Sequence, residues 1–106
     1  GAFPLWLAPV QVALIPIAER HNEAAQNALR LLREAGIRGE LNGRNESMQS
    51  KIRDATLQKA PYMGIIGDRE IQGGTISVRT RSGEDLGALS LEQFVRKVKN
   101  EIERKV

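Results

Sequence analysis

The sequence predicts an α/β fold, and three of its features carry that prediction. Short apolar runs of strand length alternate with longer stretches of helical period. Two helical stretches separate the first three strands, so those strands form a parallel core. The fourth strand follows a Gly73-Gly74 turn, which makes it antiparallel to the third.

Residues 1–9 read as an extended lead-in, because Pro4 and Pro9 oppose a helix and Phe3, Leu5, Trp6 and Leu7 are too apolar for a free tail. VQVALIPI at 10–17 is a nearly continuous apolar run, the pattern of a strand covered on both faces. Residues 19–35 form a helix whose stripe is Ala25, Ala28, Leu29, Leu32 and Ala35, with Gly36 as its stop. IRGELN at 37–42 is a second strand, and Gly43 lies in the turn after it. A helix over 46–58 turns Met48, Ile52 and Ala55 inward and ends before Pro61. YMGIIG at 62–67 is a third strand, GDRE at 67–70 a loop, and TISVRTR at 75–81 a cleanly alternating fourth strand. A polar loop with Gly83 leads to an extended piece at 85–89. Ser90 and Gln93 form a capping box for a last helix with Leu91, Phe94, Val95, Val98 and Ile102 on one face.

The 106 residues make one domain with a modest core, and 41% of them are hydrophobic. There is no cysteine, which excludes disulfides and thiolate metal sites and fits a reducing, cytoplasmic location. One histidine, His21, cannot by itself build a zinc site or a catalytic triad. No apolar run is long enough to cross a membrane. The net charge is only +3, but 11 of the 16 basic residues are arginine, the planar fork suited to phosphates and base edges.

Alternation places Thr75, Ser77, Arg79 and Arg81 on one face of the fourth strand, either as a solvated face or as a surface offering donors to a ligand. Asn45, beside Arg44, is either the N-cap of the second helix or an amide offered to a base edge, with Lys51 and Arg53 following on an exposed helix face. Glu70 in the GDRE loop is either a solvated carboxylate or an acceptor for guanine N–H groups. No GxGxxG or Gly-Lys-Ser/Thr phosphate loop, carboxylate pair or serine–histidine arrangement is present.

Several stretches go beyond composition when taken together: FPLWLAPVQV at 3–12, EAGIR at 34–38, RNE at 44–46, KIRDA at 51–55, APYMGIIGDRE at 60–70 and TISVRTRSGEDLGALSLEQF at 75–94. Over essentially its whole length the chain resembles the C-terminal, anticodon-binding domain of bacterial-type threonyl-tRNA synthetases. Histidyl, prolyl and glycyl synthetases share the fold, but the WLAPVQV opening and the VRTR strand look threonyl. The resemblance implies a three-layer α/β/α domain over 1–106 with a five-stranded mixed sheet, excised from an enzyme whose class II catalytic core lies before it. It implies recognition of the threonine tRNA anticodon by Asn45, Arg53, Glu70 and Arg79; the basic residues Arg44, Lys51 and Arg81 beside them are candidates for contacts to the RNA backbone. It places no catalytic residue, metal or cofactor on this domain, since ATP, magnesium and zinc belong to the catalytic core. It also implies a homodimeric full-length enzyme, a monomeric isolated domain and no membrane partner. After RNE the family usually continues with lysine, an aliphatic residue, glycine and an aromatic. Here the stretch is Ser47-Met48-Gln49-Ser50, so contacts from that helix start are expected to differ. The rival readings are a non-enzymatic relative on the same fold, such as an RNA-binding or polymerase-accessory protein, and a flavodoxin-type module, which the missing phosphate loop disfavours.

Overall fold

The structure, a computed structural model, describes residues 4–42, 47–58 and 60–105. The chain runs β1 (Val12–Pro16), α1 (Asn22–Glu34), β2 (Gly39–Leu41), α2 (Met48–Leu57), β3 (Tyr62–Ile66), α3 (Asp68–Gly73), β4 (Thr75–Thr80), β5 (Asp85–Ser90) and α4 (Leu91–Arg104). One five-stranded sheet has the order β2-β1-β3-β4-β5. β1 is parallel to both β2 and β3, and the β3–β4 and β4–β5 pairs are antiparallel. The parallel core and the antiparallel fourth strand are as expected, but β3 and β4 are joined by α3, with Gly73 as its last residue and Gly74 as its left-handed C-cap, and not by a tight turn alone.

Alternation in β1 feeds two cores, which is why its run is continuously apolar. Val12 and Leu14 join Ile76, Val78 and the α1 and α4 residues Ala25, Ala28, Leu32, Phe94 and Val98 on one face. Ala13 and Ile15 join Met63, Ile65, Ala55 and Ala60 on the other, with Ile52 of α2 packed against them. The Met48 side chain is not among those described. Gly64 lies where β3 meets the first core: a Cβ there would press on the Ile76 and Leu14 side chains, which would have to shift to make room. Gly36 ends α1 with φ +80°, a conformation that glycine adopts without a Cβ penalty.

The α4 capping box forms in both directions, Gln93 N–H to Ser90 Oγ at 3.1 Å and Ser90 N–H to Gln93 Oε1 at 3.3 Å. Its apolar face buries Phe94 and Val98 and packs Leu91, Val95 and Ile102 around them. Tyr62 lies edge-on to Phe94 at 5.8 Å and donates to Glu101 at 2.5 Å, fastening β3 to α4. Burial first, and the Glu101 carboxylate second, push the Tyr62 phenol above its ordinary range.

The lead-in and the region after β3 differ from expectation. Leu5–Leu7 forms a 3-10 turn after Pro4 instead of an extended run. The buried Gln11 and the exposed Arg38 hold it there. Gln11 Nε2 donates to the Leu5 carbonyl at 3.0 Å, and Arg38 donates to the Trp6 and Ala8 carbonyls, each at 3.0 Å. Gln11 Oε1 in turn accepts the Arg38 N–H at 2.8 Å, so much of the WLAPVQV and EAGIR pattern is the wiring of this turn. GDRE is not a loop: Asp68, Arg69 and Glu70 are the first turn of α3. A helix of six residues is too short to show an apolar period, and for that reason it escapes a pattern search.

Candidate functional site

α2 buries its apolar residues against β1 and β3. The same sheet face along β4 and β5 is open: Ser77 and Arg79 are half-buried and Ala88 is exposed. Along β4 the burial alternates, with Ile76 and Val78 buried between half-exposed Thr75, Ser77 and Arg79, as the period of two predicts. Arg81 lies just past the strand end, in the turn, and its N–H donates to the Pro61 carbonyl at 3.1 Å.

A cleft of about 280 Å³ opens on this face, lined in part by Glu70, Ser77, Arg79, Ile17 and Arg69. It brings together two of the expected site residues, Glu70 from α3 and Arg79 from β4. Arg79 pairs in register with Asp85 of β5 at an irregularity of the ladder, which turns the strand locally. No hydrogen bond or ion pair among the described residues occupies the Arg79 guanidinium, so its donors are available to a ligand.

Glu70 is only 8% exposed, not a solvated loop carboxylate. Its Oε1 accepts the Gly67 N–H at 2.8 Å and its Oε2 accepts the Ser77 hydroxyl at 3.2 Å. The first contact caps a helix whose N-cap is glycine and offers no side chain. The second reaches across to β4. The carboxylate is thus held in one position, with lone pairs remaining on both oxygens.

Asp68 opens α3 and fastens it to the segment after β1. Its carboxylate accepts from Arg20 at 2.6 and 3.1 Å and from His21 Nε2 at 2.7 Å. The Arg20 hydrogen bond first, and His21 second, hold Asp68 well below the usual carboxylate range. His21 is 2% exposed, and its Nδ1 accepts the Ala18 N–H at 3.0 Å. That contact leaves Nε2 as the protonated nitrogen facing Asp68.

The remaining expected residues divide three ways. Arg53 is exposed on α2 and does not line the Glu70–Arg79 cleft. Asn45 and Arg44 lie outside the described residues, as do Gly43 and Glu46. The N-cap of α2 is Ser47 and not Asn45, since the helix starts at Met48 and Ser47 Oγ accepts the Ser50 N–H at 3.2 Å. Lys51 is not on an exposed face. It is 2% exposed and its Nζ donates to the Pro16 carbonyl at 2.8 Å, tying α2 to the end of β1. In KIRDA the lysine and alanine therefore face the sheet and the arginine faces out. A second hollow of about 210 Å³ lies beside Lys51, lined also by Glu40, Asn42, Asp54 and Gln58.

Ile17, Asp68 and Arg69 of the cleft, and the pairing of Asp68 with His21, escape sequence reasoning. The one available signal was Asp68 and Glu70 directly after Gly67, acidic residues placed as in a helix first turn. Among the described residues no three His, Cys, Asp or Glu side chains gather as metal ligands. Nor is any helix of those residues long and apolar enough to cross a membrane.

Residues 11–101 match the family described as Anticodon binding domain. The chain is 52% identical over 105 residues to a threonine–tRNA ligase of Caldanaerobacter subterraneus, covering 99% of this chain and 16% of that protein. It is 56% identical over 95 residues to a threonine–tRNA ligase of Acidobacterium capsulatum, covering 90% of this chain and 14% of that protein. Among solved structures, the RNA binding domain of threonyl-tRNA synthetase from Cryptosporidium parvum Iowa II superposes with a TM-score of 0.89 at 27% identity, over 94% of this chain and 25% of that one. A prolyl-tRNA synthetase from Cryptosporidium parvum superposes with a TM-score of 0.85 at 22% identity, over 98% of this chain and 23% of that one, a likeness of fold alone.

Proposed function

Because the chain belongs to the anticodon-binding domain family, we propose that it grips the anticodon of threonine tRNA as part of a longer threonine–tRNA ligase, a class II aminoacyl-tRNA synthetase. The observation that carries this reading is the meeting of Glu70 and Arg79 in one open cleft. Sequence-specific RNA modules read bases splayed out of a single-stranded loop by their edges. Guanine offers adjacent N1–H and N2–H donors on its Watson–Crick edge, and a fixed carboxylate accepts both. A guanidinium on the same surface donates to base oxygen or ring nitrogen. Adenine would meet Glu70 acceptor to acceptor, and a site built around a specific polar group rejects such a mismatch. Glu70 is therefore assigned to the middle guanine of the anticodon, and Arg79 to a base edge beside it. Arg53 and Asn45 are assigned to the neighbouring base, with Arg44 and Arg81 nearer the backbone. ATP, magnesium and zinc, and any dimer contact, belong in this reading to the rest of a longer cytoplasmic enzyme.

The test is titration of anticodon stem-loops that differ at single anticodon bases. Arg79→Ala should weaken binding by roughly 1–3 kcal/mol and relax preference at one base, whereas Arg81→Ala should weaken all sequences alike. Glu70→Gln should narrow the gap between middle guanine and middle adenine, because an amide donates as well as accepts. Equal losses for the two arginine variants, with guanine preference intact in Glu70→Gln, would remove the assignment.

A further inference from the structure

The geometry points to His21 as a positioning residue for Glu70, acting through Asp68. This rests on the reading of Glu70 as a base acceptor. α3 has six residues, so its placement must come from outside the helix. Its first residue, Asp68, is bonded to residues 47 and 48 positions earlier in the chain. Two residues along the same helical turn, Glu70 aims its carboxylate at Gly67 N–H and Ser77. A chain of hydrogen bonds therefore runs from Ala18 N–H through His21 to Asp68, and the rigid first turn of α3 carries that position to Glu70.

The two partners of Asp68 are unequal. Arg20 and Asp68 are 68% and 60% exposed, so water and salt screen their pairing. His21 is 2% exposed, and its contact is shielded on the ring side. His21, the lone histidine of the sequence, thus supplies what the exposed arginine cannot: one acceptor for the backbone and one donor for the carboxylate at fixed separation. Glutamine offers the same pair of functions, an amide oxygen and an amide N–H, on a side chain of similar reach. Alanine offers neither.

The experiment compares His21→Ala, His21→Gln, Arg20→Ala and Glu70→Gln, by titrating the chain with stem-loops carrying guanine or adenine at the middle anticodon base. His21→Ala is expected to shrink the guanine preference by about tenfold, the size of one good base contact. His21→Gln should recover most of it, and Arg20→Ala should change it little. Amide hydrogen exchange on the same variants supplies a second measure. Gly67 and Ile71 amides should exchange faster in His21→Ala, while the β1 and β3 amides keep their protection. Unchanged preference in His21→Ala, beside a changed preference in Glu70→Gln, would overturn the positioning role alone. Unchanged preference in both would overturn the reading of Glu70 itself. Loss of protection throughout the sheet, without rescue by glutamine, would make His21 a general stabiliser and also overturn the proposal.

Discussion

Glu70 is held by two donors of its own chain, so removing its carboxylate has two separable effects. Glu70→Ala deletes the cap of α3 and strands the buried Gly67 N–H, which should cost about 1–2 kcal/mol. For a domain of this size that lowers the melting temperature by roughly 4–8 °C per kcal/mol. Glu70→Gln keeps an oxygen for Gly67 and should melt close to wild type, so its recognition defect can be read without a folding defect. Thermal melts of the two variants check this; a Glu70→Ala protein as stable as wild type would mean that α3 is capped some other way. The role of Glu70 in the fold was not legible in the sequence, because GDRE reads equally well as loop or helix start. What was legible at this scale was strictly local. The pleat alone places Ser77 and Arg79 on one face of β4. The burial of Lys51 was not legible, since its acceptor is a carbonyl 35 residues away. Nor was the pairing of His21 with Asp68, 47 residues apart, because a lone histidine in sequence has no visible partner.

At the scale of elements, the long ones were legible and the short ones were not. α1 and α4 run 13 and 14 residues, enough for a stripe to repeat, and both stripes face the core as read. The 3-10 turn at Leu5–Leu7 and the six-residue α3 are shorter than the two turns a stripe needs in order to repeat. Their placement depends on distant donors such as Arg38. The joint between β3 and α4 carries a pH dependence with a definite sign. The Tyr62 phenol is raised above its ordinary value by burial, and then by its bond to Glu101. A raised value means that the protonated phenol stabilises the fold fully below the unfolded value, about pH 10, and that the contribution fades as pH rises beyond it. The stability difference between wild type and Tyr62→Phe should therefore be constant from neutral pH to about 9 and shrink above 10. Denaturant melts across that range check it; a difference that grows with pH would reverse the sign. Lys97, which bonds Glu101 at 2.6 Å and lies 6.0 Å from the Tyr62 ring, belongs to the same joint.

At the scale of the molecule, charge and shape limit how it meets RNA. The domain measures 35 × 27 × 22 Å and carries a net charge of +3, so it can engage few phosphates at once. Stem-loop affinity should fall with salt, with a logarithmic slope of roughly −1.5 to −3, as expected for two to four phosphates of a single strand. A slope near zero would point to an apolar ligand, and a much steeper one to a duplex-binding surface. The overall topology was legible because it follows from rules of connection: the long helical connections around α1 and α2 make β1, β2 and β3 parallel neighbours, whereas the short connection through α3 and Gly74 is too brief for a crossover and leaves β4 antiparallel to β3. The same topology also sets an order in time. Val12 pairs with Gly39 on one side and with Tyr62 on the other, so the strand made first is completed only when β3 has been made. At about 5–20 residues per second, translation leaves β1 waiting several seconds for its second partner. Through that interval Val12–Ile15 offers an apolar, open edge, the kind that recruits other chains. β3, β4 and β5 follow one another and can zip as a meander as they emerge. Pro16 closes β1 without an N–H, which shortens by one residue the template the waiting strand presents to its neighbours in the cell.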